Sequence, residues 1–204
     1  MTIPTHTINR LTQQLQFVVE IDKLKHILRK TRIIADPALG ESRFENSAEH
    51  SWHIALIAIV LAEHSNAPID LPRVLKMLLI HDVVEIDAGD TFAFGDQSNK
   101  ASSEQAAADR LFGLLPDDQR AEFRALWDEF EARQSTESRY ANAIDRLMPV
   151  FQNMRNQGGS WAEHTVTRAQ VDKRLSPIGE GSTVLWGAVK EQLEVALALG
   201  FLQS

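Results

Sequence analysis

A short segment in the middle of the chain combines the pattern of a buried helix with an unusual density of ionisable side chains. The stretch LLIHDVVEIDAGDTF covers residues 78–92 and begins with three apolar residues. Five ionisable groups then follow within ten residues: His81, Asp82, Glu85, Asp87 and Asp90. An ionisable group in a core needs a partner or a compensating charge, because burial without one is costly. The sequence therefore predicts a compensating charge close to this segment.

Two further ionisable residues interrupt apolar segments elsewhere. His50 lies near the start of SAEHSWHIALIAIVLAEH, which is apolar almost all round and is typical of a central helix. Asp145 lies in ANAIDRLMPVF, four residues before Pro149. Because proline removes the helical hydrogen bond to the carbonyl at i−4, we expect a kink at Asp145. Packing of these apolar helices would bring His50, His81 and Asp145 together in the interior.

A divalent cation is one charge that would compensate these groups. The imidazoles of His50 and His81 and the carboxylates of Asp82 and Asp145 form a mixed nitrogen and oxygen set. Such a set suits Mn²⁺, Fe²⁺, Co²⁺, Ni²⁺ or Zn²⁺ better than Ca²⁺. A bound metal can lower the pKa of water from about 15.7 to near 7. Glu85 lies one helical turn after His81, and we interpret it as an acid or base beside the ligands.

Each of these residues also has an ordinary structural explanation. A single histidine on an apolar helix face is more often a hydrogen-bonded core residue than a metal ligand. Glu85 alone is compatible with a solvated helix position. The combination is harder to explain structurally, because every buried polar group would need its own partner. Both interpretations stay open at this level of the sequence.

The elements that must position these residues are predicted to be helices. Apolar residues recur at three- and four-residue steps through nearly the whole chain, which is the spacing of one helix face. This pattern predicts helices over residues 11–28, 47–64, 71–89, 103–115, 117–134, 136–155, 167–175 and 183–199. Residues 35–46 and 156–160 are predicted to be loops, and no segment shows sustained alternation with a period of two. The predicted fold class is therefore all-α, in a single domain.

Composition and charge narrow the classes of function. The chain has 204 residues, of which 44% are hydrophobic, and this is typical of one globular domain. The absence of cysteine excludes disulfides and thiolate metal sites, and it agrees with a reducing cytoplasm. A net charge of −7 argues against binding to nucleic acid polymers. The longest apolar run, residues 54–62, is too short to cross a bilayer, and no signal peptide is recognised. We therefore expect a cytoplasmic protein that does not interact with membranes.

Three motifs together resemble a known superfamily. The segments ENSAEHSWHIA, IHDVVEIDAGD and IDRL, in this order and at these separations, resemble the HD-domain phosphohydrolases. The similarity is greatest to the branch that contains the bacterial 5′-deoxynucleotidases, and it covers about residues 21–154. The resemblance implies a single HD-type helical bundle over residues 1–204. Its core would span about residues 21–155, with a loop and C-terminal helices over residues 156–204 packing on it.

The resemblance also implies roles for particular residues. One divalent transition metal would be held by His50, His81, Asp82 and Asp145. Glu85 would act beside the metal, and Asp90 would match a further acidic residue near the reacting phosphate. The segment LKHILR is similar to the one that supplies a phosphate-binding arginine, which maps onto Arg29, with Arg32 and Arg43 as further candidates for phosphate contact.

The chain departs from this branch immediately after Arg29. Lys30 and Thr31 occupy the positions of a Trp-Pro pair, and DPALGE, residues 36–41, lengthens the following loop. These segments would shape the pocket for the sugar and the base. The expected function is a metal-dependent phosphomonoesterase acting on 5′-deoxyribonucleoside monophosphates, in a homodimer. The alternatives are hydrolysis of a nucleoside triphosphate, a guanosine polyphosphate or another phosphorylated metabolite, and a helical regulatory domain without turnover.

Overall fold

The computed structural model describes the backbone of residues 5–36, 38, 42–95 and 98–204, and side chains from residue 9 onward within those ranges. Most of the predicted loop extension at residues 36–41 lies outside the described residues. The described chain is helical apart from one antiparallel pair of strands, which confirms the all-α prediction. None of its helices has the length and apolar character needed to cross a bilayer.

The elements follow one another in an almost unbroken series of helices. The strands are β1 (Leu28–Arg32) and β2 (Phe44–Asn46), and short 3₁₀ helices cover Ile21–His26, Ala62–His64 and His81–Val84. The α-helices are α1 (Thr5–Glu20), α2 (Ser47–Val60), α3 (Leu71–Ile80), α4 (Glu85–Ala88), α5 (Lys100–Phe112), α6 (Asp117–Ala132), α7 (Thr136–Arg155), α8 (Gly159–Glu163), α9 (Arg168–Leu175), α10 (Ile178–Gly181) and α11 (Thr183–Ala198).

Helix α7 forms the centre of the molecule. It packs against α2, α3, α6, α10 and α11, and most of its side chains are buried. The Tyr140 hydroxyl donates a hydrogen bond to the Ala58 carbonyl at 3.0 Å, which connects α7 to α2. The Asn142 amide donates to the Phe130 carbonyl at 2.8 Å, which connects α7 to α6. These contacts place Asp145 in the interior. The kink expected there, and the division of the chain at residue 155, stay predictions.

The start of helix α2 is fixed by a capping box. The Asn46 side chain accepts from the Glu49 backbone N–H at 2.9 Å, and the Glu49 carboxylate accepts from the Asn46 N–H at 2.8 Å. This reciprocal pair satisfies two N–H groups that a helix end leaves without partners. Asn46 also pairs with Leu28 across the two strands. The strand pair and the cap together fix where His50, one turn into α2, meets the core.

Two predicted helices are wrong in part. Residues 11–28 do not form one helix, because α1 ends at Glu20 and the chain turns through a 3₁₀ helix into β1. Bonds to the next segment satisfy the backbone there: the Ser47 N–H donates to the Ile27 carbonyl at 3.0 Å, and the Ile33 N–H to the Arg43 carbonyl at 2.9 Å. This long-range pairing overrides the local helical pattern. It also places strand β2 inside the predicted loop 35–46, and α8 begins within the predicted loop 156–160.

The predicted helix over residues 71–89 is divided into three pieces. Helix α3 ends at Ile80, a 3₁₀ turn covers His81–Val84, and α4 follows. The indole Nε1 of Trp127 donates to the His81 carbonyl at 3.2 Å, so this carbonyl has a side-chain partner. A 3₁₀ segment within a helix often marks a functional site. Here the tighter turn buries both His81 and Asp82.

Candidate metal and phosphate site

Four of the side chains chosen from the sequence meet in the interior. The Asp145 Oδ1 atom lies 3.1 Å from Nε2 of His50 and 3.7 Å from Nε2 of His81. The Oδ1 atom of Asp82 lies 3.0 Å from the same His81 nitrogen. One donor atom from each of His50, His81 and Asp82 falls within 4.8 Å of the others, so this group could hold a metal ion. The structure therefore brings together α2, the 3₁₀ turn after α3, and α7.

The hydrogen bonds of the two imidazoles indicate what this cluster requires. Nδ1 of His81 lies 2.9 Å from the Leu78 carbonyl, which can only accept, so Nδ1 carries a proton. Nδ1 of His50 lies 3.1 Å from the Glu45 carboxylate. A neutral ring protonated at Nδ1 presents a lone pair at Nε2. Within the described chain, Nε2 of His81 is buried without a hydrogen-bond partner. Lone pairs facing the carboxylates of Asp82 and Asp145 would repel them, and a cation between them would remove that repulsion.

The chain also matches a protein-family model. A model described as HD domain matches residues 21–186, which is most of the chain. This chain belongs to the HD domain family. The resemblance to that superfamily, predicted from the sequence motifs, is confirmed.

Relatives with solved structures or curated names agree with membership of the HD domain family. The crystal structure of a predicted metal-dependent phosphohydrolase from Magnetospirillum magnetotacticum MS-1 is 49% identical, covers all of both chains and superposes with a TM-score of 0.91. The human 5′-deoxynucleotidase HDDC2 is 26% identical over 140 residues, which are 68% of this chain and 65% of that protein. The chain thus spans just under two thirds of that relative. The 5′-deoxynucleotidase ECA3034 of Pectobacterium atrosepticum is 24% identical over 160 residues, 74% of this chain and 80% of that protein.

Arg29 lies directly beside the candidate ligands of the HD domain. Its Nη1 atom donates to Oδ2 of Asp82 at 2.7 Å, and its Nε atom is 3.5 Å from Oε2 of Glu45. That Nε is buried and has no hydrogen-bond partner in the described chain. Burial alone would lower the pKa of Arg29, but the charges of Asp82 and Glu85 lead a group of carboxylates that raise it. The guanidinium therefore stays charged and keeps a donor for a further acceptor.

Two carboxyl groups beside Arg29 have raised pKa values. Burial, followed by the charge of Asp82, raises the pKa of Glu85 to about 8, and the Ser47 hydroxyl donates to its Oε2 at 2.6 Å. Burial also raises the pKa of Asp90, which accepts from the Lys30 backbone N–H at 3.1 Å. A carboxyl group whose pKa lies near neutrality can take up or release a proton at physiological pH.

The charge balance of the imidazole cluster also depends on its carboxylates. Burial alone would lower the pKa of His81, but the charges of Asp82 and Asp145 raise it to about 9. Burial alone would raise the pKa of Asp145, but its contacts with His50 and His81 hold it well below its usual value. Without a metal ion, this site therefore keeps a proton that a cation would have to displace, because metal ligation requires a neutral imidazole.

A cavity of about 330 Å³ opens from these residues. Its volume falls at the lower end of the range of small-molecule sites. The wall combines three of the four candidate ligands (His81, Asp82 and Asp145) and Arg29 with aromatic rings and with a further group of basic side chains. The aromatic residues are Phe92, Phe94, Phe130 and Trp161. The wall thus presents apolar surface and basic side chains beside the candidate metal ligands, as a phosphorylated ligand with a flat ring would require.

Two sequence candidates lie outside the lining of this cavity. Arg32 pairs with Glu163 at 3.2 Å, and its guanidinium lies 4.3 Å from the centre of the Phe44 ring. Arg43 pairs with Glu49, and its side chain is 57% exposed. Each arginine is held in a surface ion pair here, so a contact of either side chain with the substrate stays a prediction.

Glu45 is a site residue that the sequence interpretation missed. It is only 2% exposed, and its carboxylate contacts Nδ1 of His50 at 3.1 Å while accepting from the Gln152 amide at 2.9 Å. A carboxylate on the distal nitrogen of a metal-binding histidine fixes the tautomer of the ring and increases its basicity. Glu45 carries no sequence signal for this role, because it lies in a segment predicted to be a polar loop.

Replacing Glu45 by glutamine should weaken metal binding by about 10- to 100-fold. The amide keeps the shape of the side chain but loses the negative charge that orients His50. Competition with a chromophoric chelator measures the metal dissociation constant. Glu163→Gln is the matched control, because it removes a surface carboxylate that also pairs with an arginine. Equal metal affinity of Glu45→Gln and wild type would contradict the role of Glu45.

Proposed function

We propose that this protein is a metal-dependent phosphomonoesterase that hydrolyses 5′-deoxyribonucleoside monophosphates. The observation that carries the proposal is the convergence of two imidazole Nε2 atoms and two aspartates beside Arg29 and Glu85. A helical domain that only bound a partner would not need this buried set of donors. The names of the curated relatives, which are 5′-deoxynucleotidases, support the choice of substrate.

We propose His50, His81, Asp82 and Asp145 as the ligands of one divalent transition metal. Two imidazoles and two carboxylates suit Mn²⁺, Fe²⁺, Co²⁺, Ni²⁺ or Zn²⁺. When bound, such an ion supplies Lewis-acid stabilisation of phosphoryl oxygens and lowers the pKa of coordinated water. The Nε2 atom of His81 is buried and has no hydrogen-bond partner in the described chain, so it is the ligand atom that most clearly requires the metal ion.

The remaining residues bind the phosphate and transfer protons. The guanidinium of Arg29, which lines the cavity, can donate a charge-assisted hydrogen bond to a phosphate oxygen and neutralise charge that develops during the reaction. Glu85 accepts a proton from the attacking water as the new oxygen–phosphorus bond forms. The bond between phosphorus and the 5′-oxygen breaks, and that oxygen receives the proton held by Glu85, either directly or through Asp90. The products are a nucleoside and inorganic phosphate, and the two carboxyl groups return to their starting state.

A substrate panel tests this proposal. Protein loaded with Mn²⁺ or Co²⁺ is incubated with 5′-deoxyribonucleotides, 5′-ribonucleotides, 3′-deoxyribonucleotides, a nucleoside triphosphate and a guanosine polyphosphate. Among the monophosphates, we expect the 5′-deoxyribonucleotides to release inorganic phosphate and the nucleoside with the highest kcat/KM. Release of pyrophosphate or triphosphate would instead support the alternative substrates. Retention of metal without hydrolysis of any compound would contradict the proposed activity.

We propose that the chain forms a homodimer through the outer face of helix α2. Trp52 is 64% exposed there, and the adjacent Leu56, Ile59 and Val60 are exposed as well. A contiguous apolar face of this kind is typical of protein interfaces. Trp52→Glu should convert a dimer into a monomer in sedimentation velocity at micromolar concentration, whereas Val184→Glu, at an exposed position on α11, should not. A wild-type chain that sediments as a monomer at 100 µM or higher (roughly the limit for a weak interface) would contradict the dimer.

We also propose a cytoplasmic location and a free nucleotide as substrate. The cysteine-free sequence agrees with a reducing compartment. The net charge of −7 provides little general attraction for a nucleic acid polymer. The basic side chains of the cavity lining provide positive charge only locally, which suits a small anionic ligand.

A further inference from the structure

A second group of basic side chains lines the cavity on the other side of Asp145. Arg133 follows the C-terminus of α6, Arg146 lies on α7 and Arg174 lies on α9, and all three contribute to the cavity wall. Arg29 is surrounded by carboxylates, so its charge is largely compensated. The second group has no such set of carboxylate partners. The difference suggests that the two groups have different roles.

Arg146 is the buried member of this group. Its side chain is only 9% exposed. The Nη1 atom donates to the backbone carbonyl of Asn142 at 3.0 Å and to its side-chain Oδ1 at 2.6 Å, and both acceptors are neutral. The Nε atom is buried without a hydrogen-bond partner in the described residues. A buried guanidinium with an unused donor is costly unless a further acceptor reaches it.

The carboxylate nearest to Arg146 is already engaged elsewhere. Oδ2 of Asp145 is 3.8 Å from its Nη1 atom, which is longer than a hydrogen bond. The other oxygen, Oδ1, faces His50 and His81. Asp145 therefore lies between the metal cluster and Arg146, and its charge is shared between them. Glu131, which also lines the cavity, is exposed to solvent and compensates the buried charge less well.

Arg174 and Arg133 increase the positive charge around Arg146 rather than reducing it. Neither residue forms an ion pair with any other residue in the part of the chain that the structure describes. Burial and the charges of Arg174 and Arg133 lower the pKa of Arg146 to about 10, so that side chain remains charged at neutral pH. Three neighbouring guanidinium groups present many donors that match the oxygens of a phosphate.

We propose that Arg133, Arg146 and Arg174 form a second anion subsite, which binds a phosphate of the substrate other than the one that is hydrolysed. This inference rests on the proposed phosphohydrolase function and extends its substrates from 5′-monophosphates to nucleotides that also carry a second phosphate. In a 3′,5′-bisphosphate the second phosphate is on the sugar, and the 5′-phosphate is hydrolysed. In a 5′-diphosphate the bond between the two phosphates is hydrolysed, the terminal phosphate leaves as inorganic phosphate, and the phosphate on the 5′-oxygen occupies the subsite. A cavity shared by both basic regions allows one nucleotide to contact them together.

Steady-state kinetics with matched nucleotides tests the subsite. We expect the metal-loaded protein to show a kcat/KM at least about tenfold higher for the 3′,5′-bisphosphate or the 5′-diphosphate than for the 5′-monophosphate. Whichever of the two is preferred identifies where the second phosphate is attached. Arg174→Gln and Arg146→Gln should abolish the preference. Arg155→Gln should keep it, because Arg155 is exposed at the end of α7 and is not among the cavity-lining residues.

Equilibrium binding provides a second test that does not depend on turnover. Calorimetry with the metal-free protein should give an affinity for the preferred two-phosphate nucleotide that Arg174→Gln reduces by about tenfold. Hydrolysis of the monophosphate without any preference, together with unchanged binding by Arg174→Gln, would overturn the subsite and leave the proposed function standing. Equal loss of both activities in Arg174→Gln would also overturn it, because the arginine would then serve the hydrolysed phosphate. Absence of all hydrolysis would instead contradict the proposed function.

Discussion

Asparagine in place of Asp145 should release the metal ion and reduce kcat/KM for the proposed reaction by at least about a thousandfold. Oδ1 of Asp145 lies near the Nε2 atoms of both His50 and His81, at 3.1 and 3.7 Å. The substitution preserves volume but removes the charge that a cation would share with both rings. A metal ion contributes several kcal/mol to transition-state stabilisation, and every 1.36 kcal/mol corresponds to a factor of ten.

Two measurements on the same preparation check this result. Elemental analysis after gel filtration gives the metal content, and phosphate release from a 5′-deoxyribonucleotide gives kcat/KM. Asp172→Asn is the matched control, because Asp172 is a half-exposed carboxylate paired with Arg168 and lies away from the cavity lining. An Asp145→Asn protein that keeps one metal ion per chain and most of its activity would remove Asp145 from the proposed ligand set.

The sequence predicted the helices that hold the candidate ligands because burial leaves a periodic trace. Residues 47–64 and 136–155 were expected to be helical, and α2 and α7, which carry His50 and Asp145, occupy Ser47–Val60 and Thr136–Arg155. Long amphipathic helices report their buried face through the three- and four-residue spacing of apolar side chains. The ionisable residues His50, His81 and Asp145 interrupt such faces, so the sequence alone indicated them as candidate site residues.

Elements that depend on distant pairing were not predictable in the same way. Strand β1 forms because its backbone pairs with β2, and this partner lies beyond the intervening loop. This strand also carries Arg29 and, as a further candidate for phosphate contact, Arg32. In a strand, residues three apart point to opposite faces, so only Arg29 reaches the site and Arg32 pairs with Glu163.

Residues that act through packed neighbours leave even less signal. Glu45 is recognisable as part of the site only through its contacts with His50 and Gln152. Arg146 follows a candidate ligand in sequence, yet its importance comes from burial and from Arg174, which lies on a helix near the end of the chain. A charged residue in isolation is most often a solvated surface group. Only the packed structure shows which charges are buried.

Glutamine in place of Glu85 should lower kcat by about 10²- to 10⁴-fold while leaving the metal content unchanged. The amide can still accept the hydrogen bond from the Ser47 hydroxyl, which is 2.6 Å from Oε2. It cannot take up a proton from water or return one to the leaving oxygen. Phosphate release in the presence of saturating metal measures kcat, and Asp87→Asn, at an exposed carboxylate paired with Arg110, is the nearby control.

The same substitution, which lowers kcat, should raise the thermal stability of the metal-free protein. In the metal-free protein, burial and the charge of Asp82 raise the pKa of Glu85 to about 8, above its ordinary value of 4.5. Between these two values the folded state holds a proton that the unfolded state has lost, so Glu85 makes the free energy of unfolding fall as pH rises. Glu85→Gln removes this dependence. The metal-free variant should therefore melt a few degrees above wild type at pH 8, and the difference should shrink towards pH 4.5.

The combination of these two results separates a catalytic role from a structural one. If Glu85 only supported the fold, Glu85→Gln would lower the stability of the protein as well as its activity. Glu85 instead sits where burial and the charge of Asp82 make ionisation unfavourable, and Arg29 and the Ser47 hydroxyl offset only part of that cost in the metal-free protein. Lower kcat with higher thermal stability at pH 8 would assign Glu85 to proton transfer. A fall in both quantities would show that the buried carboxyl serves the packing of α4 against its neighbours.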